Sequence, residues 1–213
     1  MNVRKRLLHV CLSLSGAIAL MLAPAAGAAQ TLSGGALVTA LRQGGFIILM
    51  RHASSPQQPP SRENANPDNV KVERQLDDVG RSTAMAMGKA LRDLKIPVGE
   101  VLSSPTYRAL ETVRLASFGR AQTFPELGDG GQSMQRIAES PADWLRKRSG
   151  EQPRTGTDTV MVTHLPNLMA AFGGAAKGAV DGEALVFRPD GKGAAELLAR
   201  VKIEEWPAWA KQP

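Results

Sequence analysis

Three short segments, each closed by polar residues, frame this chain. Phe46-Ile47-Ile48-Leu49-Met50 runs straight into Arg51-His52-Ala53. Residues 98–102 end at Ser103-Ser104-Pro105, and Thr159-Val160-Met161-Val162 ends at Thr163-His164-Leu165-Pro166. The first and third are continuous apolar runs, which read as strands buried on both faces, as in a parallel sheet, and residues 98–102 read as the strand between them in the chain. Between them the period becomes helical. Ala84, Met87, Ala90 and Leu91 recur at helix spacing within 82–94, and Asp77 or Asp78 stands where an N-cap belongs. Helices are also predicted over 36–42, 106–118 and 135–148, the last with Met134, Ile137 and Trp144 among its apolar positions. Pro166 suits the first turn of another helix, which Gly173-Gly174 breaks. Residues 184–188 and 194–202, joined through Asp190-Gly191, read as a closing hairpin. Strands alternating with helices predict an α/β fold.

Residues 54–69 are rich in Pro, Gln, Asn and Ser and predict no packed element. This stretch leaves directly from the Arg51-His52 strand end, so it reads either as a solvated surface loop or as a lid over that end. Residues 124–131 are irregular and acidic, with Glu126 and Asp129. Trp206 and Trp209 read as packing residues.

The N terminus follows a different pattern. Arg4-Lys5-Arg6, a mostly apolar stretch over 7–22, and Ala26-Gly27-Ala28 have the three-part layout of a secretory signal peptide. The apolar stretch is shorter than the ~20 residues of a spanning helix. The expectation is a cleaved signal over 1–28, one domain over 29–213, a periplasmic or secreted location, and no stable membrane span after cleavage. Cys11 is the only cysteine and leaves with the signal. The mature chain then has no disulfides, metal–thiolate site or cysteine nucleophile. The formal charge falls from +6 to +3, since three basic residues and no acids are removed. A mildly basic chain with few aromatics and no dense basic stripe does not point to nucleic acid. It is compatible with an anionic substrate.

The candidate chemistry lies at the strand ends. Of three histidines, His9 leaves with the signal, while His52 and His164 both close a predicted strand. Ligand crevices in open α/β sheets form outside the carboxyl ends of strands. Arg51 and Arg108 have predicted positions at the same edge. Arg108 falls in the first turn of its helix, where a cation is unfavourable unless an anion, or Glu111 three residues on, offsets it. Two guanidiniums matched to phosphate oxygens and a nucleophilic imidazole describe a phosphate pocket.

These segments resemble the landmarks of the histidine phosphatase superfamily, the phosphoglycerate-mutase-like clan. Arg51-His52-Ala53 is similar to its Arg-His-Gly signature, with Ala for Gly. Residues 76–81 resemble its Leu-x-x-x-Gly-Arg, residues 103–112 its Ser-Ser-Pro-x-x-Arg-x-x-x-Thr, and Val162-Thr163-His164 its second histidine strand. The resemblance implies a three-layer α/β/α fold with a mostly parallel central sheet. It implies that His52 attacks phosphorus and becomes a phosphohistidine, while Arg51, Arg108 and His164 hold the phosphoryl oxygens. It also implies a carboxylic acid downstream of Arg108 as proton donor. Glu126 is the first candidate by position, Asp129 the second, and Glu111 less suited as Arg108's helix partner. Ser55 is a further phosphate donor. No cofactor or metal is implied.

The mutases follow the signature with an acid that Ser54-Ser55-Pro56-Gln57-Gln58 lacks. The chain is more similar to small exported bacterial histidine phosphatases of branch 1. The function expected is therefore a periplasmic phosphomonoesterase acting on a small phosphorylated substrate, with envelope components among the classes that export suggests. A phosphomutase, a phosphohistidine-protein phosphatase and a catalytically idle phosphate-binding domain are the alternatives.

Overall fold

The computed structural model describes residues 31–130 and 139–212. The predicted signal, with His9 and Cys11, lies outside them, as do Met134 and Ile137 of the predicted 135–148 helix. In chain order the elements are α1 (Gly34–Leu41), β1 (Ile47–Arg51), α2 (Asp78–Asp93), β2 (Val98–Ser103), α3 (Tyr107–Ala116), β3 (Gln122–Thr123), α4 (Pro141–Ser149), β4 (Asp158–Thr163), α5 (Leu165–Phe172), β5 (Ala184–Pro189), β6 (Ala195–Val201) and α6 (Glu205–Ala210). Single 3-10 turns occupy Pro125–Leu127 and Gly173–Ala176.

The strands form one sheet in the order β3-β2-β4-β1-β5-β6. β1, β2, β3 and β4 pair in parallel, whereas the β5–β6 hairpin adds antiparallel to β1. Alternation along each strand divides the core in two. Ile48, Met50, Val101, Val160 and Val162 pack with Leu37, Met87, Leu91, Val113 and Trp206, residues of α1, α2, α3 and α6. Ile47, Leu49, Leu102 and Met161 pack on the other face with Leu145 of α4 and Leu168 of α5. Helices on both faces of a mostly parallel sheet make three layers. Continuous apolar runs are the composition such a doubly covered sheet requires. Trp206 is fully buried and meets Trp209 edge-on at 5.3 Å between ring centres.

The start of β1 has a specific lock. Gly44 and Gly45 adopt φ of 73° and 97°. A Cβ on Gly44 would lie 2.4 Å from the backbone N of Thr157. That approach lets Gly45 N donate to Thr157 O at 2.8 Å and Phe46 N to the Asp158 carboxylate at 2.9 Å.

The polar loop after β1 forms no helix or strand over 54–69, yet its far half is built into the protein. Asn66 donates from Nδ2 to Tyr107 Oη and Glu111 Oε1, both at 3.0 Å, and from its backbone N to Gln75 Oε1 at 2.9 Å. Asn69 is buried and exchanges hydrogen bonds with the Glu73 backbone. The loop is held by polar side chains that face inward, which composition alone cannot separate from a solvated surface.

Candidate active site

Register brings the two histidines together. Arg51 is opposite Thr163 in the β1–β4 ladder, so the next residue of each strand leaves the sheet at the same edge. His52 N donates to Thr163 O at 3.0 Å. The rings of His52 and His164 stand 5.2 Å apart, tilted by 58°, and both residues are buried. β2, the other neighbour of β4, ends at the same edge and delivers Ser103, Ser104 and then α3.

Arg108, in the first turn of α3, joins the cluster. Its Nε donates to His52 Nε2 at 3.2 Å, and its Nη2 reaches His164 Nδ1 at 3.1 Å and Asp129 Oδ2 at 2.6 Å. The cation at a helix start is therefore offset by Asp129, not by Glu111. Glu111 is buried elsewhere, accepting from Leu76 N at 2.8 Å and from Asn66. Its buried carboxylate secures the loop that the sequence left unstructured.

Hydrogen bonding sets the ring tautomers. His52 Nδ1 lies 2.8 Å from Ala53 O, which can only accept, so this nitrogen carries the proton. Nε2 is left with a lone pair facing the cationic cluster. His164 has the opposite assignment: Nε2 faces Ser104 Oγ at 2.9 Å and Thr106 Oγ1 at 3.3 Å, and Nδ1 accepts from Arg108. Burial, and then the charges of Arg108, Arg51 and Arg74, push His52 down to about 3 against the opposing bond to Ala53 O. His164 is lowered for the same first reason, then by Arg108 and by His52. Both imidazoles are neutral at ordinary pH. An anion in the pocket reverses those charge effects and favours protonation.

Arg51 closes another side. Its Nη1 donates to Ala179 O at 3.2 Å, and Nη2 sits 2.7 Å from Asp181 Oδ1 at an angle that forms no hydrogen bond. Its Nε is buried without an acceptor among the described residues. Burial raises Asp181 above the usual carboxylate range, against the pull of Arg51.

The acidic turn is placed from below. Thr163 Oγ1 donates to Leu127 O at 2.8 Å, and Asn167 Nδ2 donates to Gly128 O and to Thr163 Oγ1. These bonds present Asp129 to Arg108. Glu126 lies in the 3-10 turn, and its side chain makes no hydrogen bond or ion pair with another described residue; Asn167 reaches only its backbone O, at 3.5 Å. Of the three acids considered, the structure brings Asp129 into the cluster and neither Glu126 nor Glu111. Ser55 is buried, and its hydroxyl donates to Gln75 O at 2.9 Å. Its proton is thereby committed to the backbone, so the expected donation to phosphate requires that bond to break.

Supporting residues explain the motif spacing. Thr112 Oγ1 accepts from Ala53 N at 3.1 Å and donates to Arg108 O at 2.8 Å, tying the turn after His52 to α3. Asp77 caps α2 through Gly80 N at 2.7 Å and accepts from Ser54 Oγ at 2.8 Å. Sequence gives a single signal for Arg74, which comes near the cluster only when the loop folds back onto α3. The one signal was its place two residues before Leu76, at the head of the Leu-x-x-x-Gly-Arg landmark.

A family model described as the histidine phosphatase superfamily, branch 1, matches residues 47–163. No curated protein matches the chain at a significant level. Among solved structures, the protein histidine phosphatase SixA complexed with tungstate aligns with a TM-score of 0.54 at 17% identity, over 75% of this chain and 98% of that one. A protein designated phosphohistidine phosphatase SixA from Agrobacterium tumefaciens aligns at 0.51 and 16%, over 74% and 97%. One so designated from Nakamurella multipartitia aligns at 0.51 and 20%, over 74% and 95%. At such identities these likenesses bear on the fold.

Proposed function

The chain belongs to branch 1 of the histidine phosphatase superfamily, and from that premise we propose that it is a phosphomonoesterase of the cell envelope working through phosphorylated His52. The observation that carries the reading is the orientation of His52. Its Nδ1–H is anchored on Ala53 O and its Nε2 is an unprotonated nucleophile aimed at Arg108.

The residues present supply each step. A phosphate monoester enters between the two imidazoles, and its oxygens take hydrogen bonds from Arg108, from the unsatisfied Nε of Arg51, and from His164 as that ring gains a proton. His52 Nε2 forms a bond to phosphorus while the ester P–O bond breaks. Asp129, displaced from Arg108 by the incoming anion, takes up a proton from solvent and passes it to the departing oxygen, which keeps the electron pair of the broken bond. The Nδ1–H bond to Ala53 O stabilises the charge on the phosphorylated ring. Water then attacks phosphorus and gives its proton to Asp129, the P–N bond breaks, orthophosphate leaves with His52 neutral again, and Asp129 releases the proton to solvent as it returns to Arg108. The arginines stabilise the charge of the transferring group throughout.

Export is part of the proposal. It rests on Arg4-Lys5-Arg6, the apolar stretch after it and Ala26-Gly27-Ala28. Among the described residues no helix is long and apolar enough to cross a membrane. A second reading, removal of phosphate from phosphohistidine on a protein, draws on the fold likeness to SixA.

The test is hydrolysis of an aryl phosphate by the mature protein, with acid-labile phosphate trapped on the enzyme during turnover. Loss of both in His52→Ala supports the proposal. Turnover that survives His52→Ala, or a phosphoenzyme at another residue, would end it. Faster release from a phosphohistidine protein than from any small ester would favour the second reading.

A further inference from the structure

We propose that Arg74 is a third guanidinium ligand of the phosphoryl group, and the one with no carboxylate within ion-pair distance. The inference rests on the phosphatase reading above. The two arginines marked by sequence each have an acid beside them: Asp181 lies 2.7 Å from Arg51 and Asp129 lies 2.6 Å from Arg108. Both imidazoles are neutral. Three guanidiniums against two carboxylates leave the cluster one positive charge in excess to meet an incoming dianion, and Arg74 is the member without an ion-pair partner of its own. Among the described residues no carboxylate lies within ion-pair distance of it.

The fold fixes where Arg74 stands. Its neighbours are pinned to α3 on both sides: Tyr107 N donates to Glu73 Oε2 at 2.9 Å, and Leu76 N donates to Glu111 Oε2 at 2.8 Å. The helix that carries Arg108 therefore carries Arg74 as well, through its backing segment. Arg74 Nε donates to Pro56 O at 2.6 Å and Nη2 to Ser55 O at 3.2 Å, carbonyls just beyond the His52-Ala53 turn. These bonds hold the guanidinium against the chain just after the His52-Ala53 turn. Nη1 makes no hydrogen bond with a described residue and is the group available to a phosphoryl oxygen. The electrostatics agree with a place near the cluster, because the charge of Arg74 helps lower both His52 and His164, and Arg74 is itself lowered by burial and then by Arg108, against the pull of Asp181 and Asp129. Cations crowded in this way are relieved by a bound anion.

Three variants of the mature protein separate charge from anchoring. Arg74→Lys keeps the charge and loses the two-carbonyl fork. Arg74→Gln keeps a hydrogen-bond donor and loses the charge. Arg74→Ala loses both. The readouts are inhibition by orthovanadate, kcat/KM on an aryl phosphate, and titration of the two imidazoles by NMR. The expected result is a loss of about tenfold or more in vanadate affinity and kcat/KM for Ala and Gln, as for a charge-assisted hydrogen bond, with most of it restored in Lys. Both imidazoles should also titrate at higher pH in Ala and Gln than in wild type. Equal vanadate affinity in Gln and Lys overturns the proposal, since the anchoring bonds would then be the whole role of Arg74. Wild-type binding of vanadate that is unchanged in all three variants overturns it too, while leaving the phosphatase reading intact. A wild type that neither binds vanadate nor turns over an ester removes that reading and this one together. If Arg74→Ala does not fold, the Lys and Gln pair alone decides between these outcomes.

Discussion

The Nε of Arg108 lies 3.2 Å from Nε2 of His52, although 56 residues separate them in the chain. A guanidinium donates and never accepts, so the pairing requires an unprotonated ring nitrogen at that position. The same arginine reaches His164 and Asp129. Arg108→Lys should therefore do more than remove a charge match. A point ammonium cannot span three partners, and kcat/KM on an aryl phosphate should fall by about a hundredfold or more. Near-wild-type kinetics in this variant would show that Arg108 only balances Asp129.

Asp129→Asn should slow hydrolysis of alkyl phosphates by about 10²–10⁴-fold while leaving activated aryl phosphates far less affected, because only the poor leaving group needs a proton. Glu126→Gln should slow neither substrate. Comparing kcat on the two substrates for each variant assigns the acid. The reverse pattern would return that role to Glu126.

Activity and stability should respond differently to acid. With His52 lowered to about 3, the free enzyme keeps its nucleophile neutral at pH 5, and NMR of the ring should show no titration between pH 5 and 8. Folding stability has two opposed windows. For His52 the unfolded chain binds the proton near 6.5 and the folded chain only near 3, so its contribution is full above 6.5 and is lost as pH falls towards 3. Asp158 is buried, with one carboxylate oxygen on Phe46 N and the other without a partner among the described residues, and burial pushes it up to about 7. Its contribution is full below 3.8 and is lost as pH rises through about 7. Asp158→Asn should consequently raise the melting temperature at pH 8 relative to its effect at pH 5. An identical shift at both values would mean that Asp158 does not titrate there.

Gly80→Ala tests the clamp between α2 and the His52 turn. A Cβ there would meet Ser54 O at 2.1 Å, and backbone cannot yield as a side-chain tip can. The expected loss is about 1–3 kcal/mol in urea unfolding, as for overpacking elsewhere, together with reduced kcat because Ser54 follows the nucleophile turn. Wild-type values for both would show that the contact relaxes freely.

Asn66→Ala removes donors to Tyr107 and Glu111 and leaves the buried Glu111 carboxylate one partner short. Stability should fall by about 1–3 kcal/mol. The polar loop read as a solvated surface or a lid would then have a structural half at 66–69, and substrate effects should map to shortening of 57–63. A melting temperature unchanged by Asn66→Ala would restore the view of the whole stretch as solvated loop.

Much of this protein was legible in one dimension. Apolar runs such as Ile47-Ile48-Leu49-Met50 can be satisfied only by burial on both faces, so strands, layers and the strand ends that bear His52 and His164 follow from local pattern. Arg108 was legible because a cation in the first turn of a helix calls for an anion to offset it. The tertiary structure alone decided the partners. Which acid meets Arg108 depends on Thr163 and Asn167 holding the 126–128 backbone, and no spacing rule links those residues. The partners of Arg74 were invisible for the same reason: its position comes from Glu73 and Leu76 binding α3, contacts between segments more than thirty residues apart. Periodicity reports which face of an element is buried, because burial acts on each residue singly. Hydrogen bonds and ion pairs are properties of two groups at once, and only the folded chain brings both ends of each pair together.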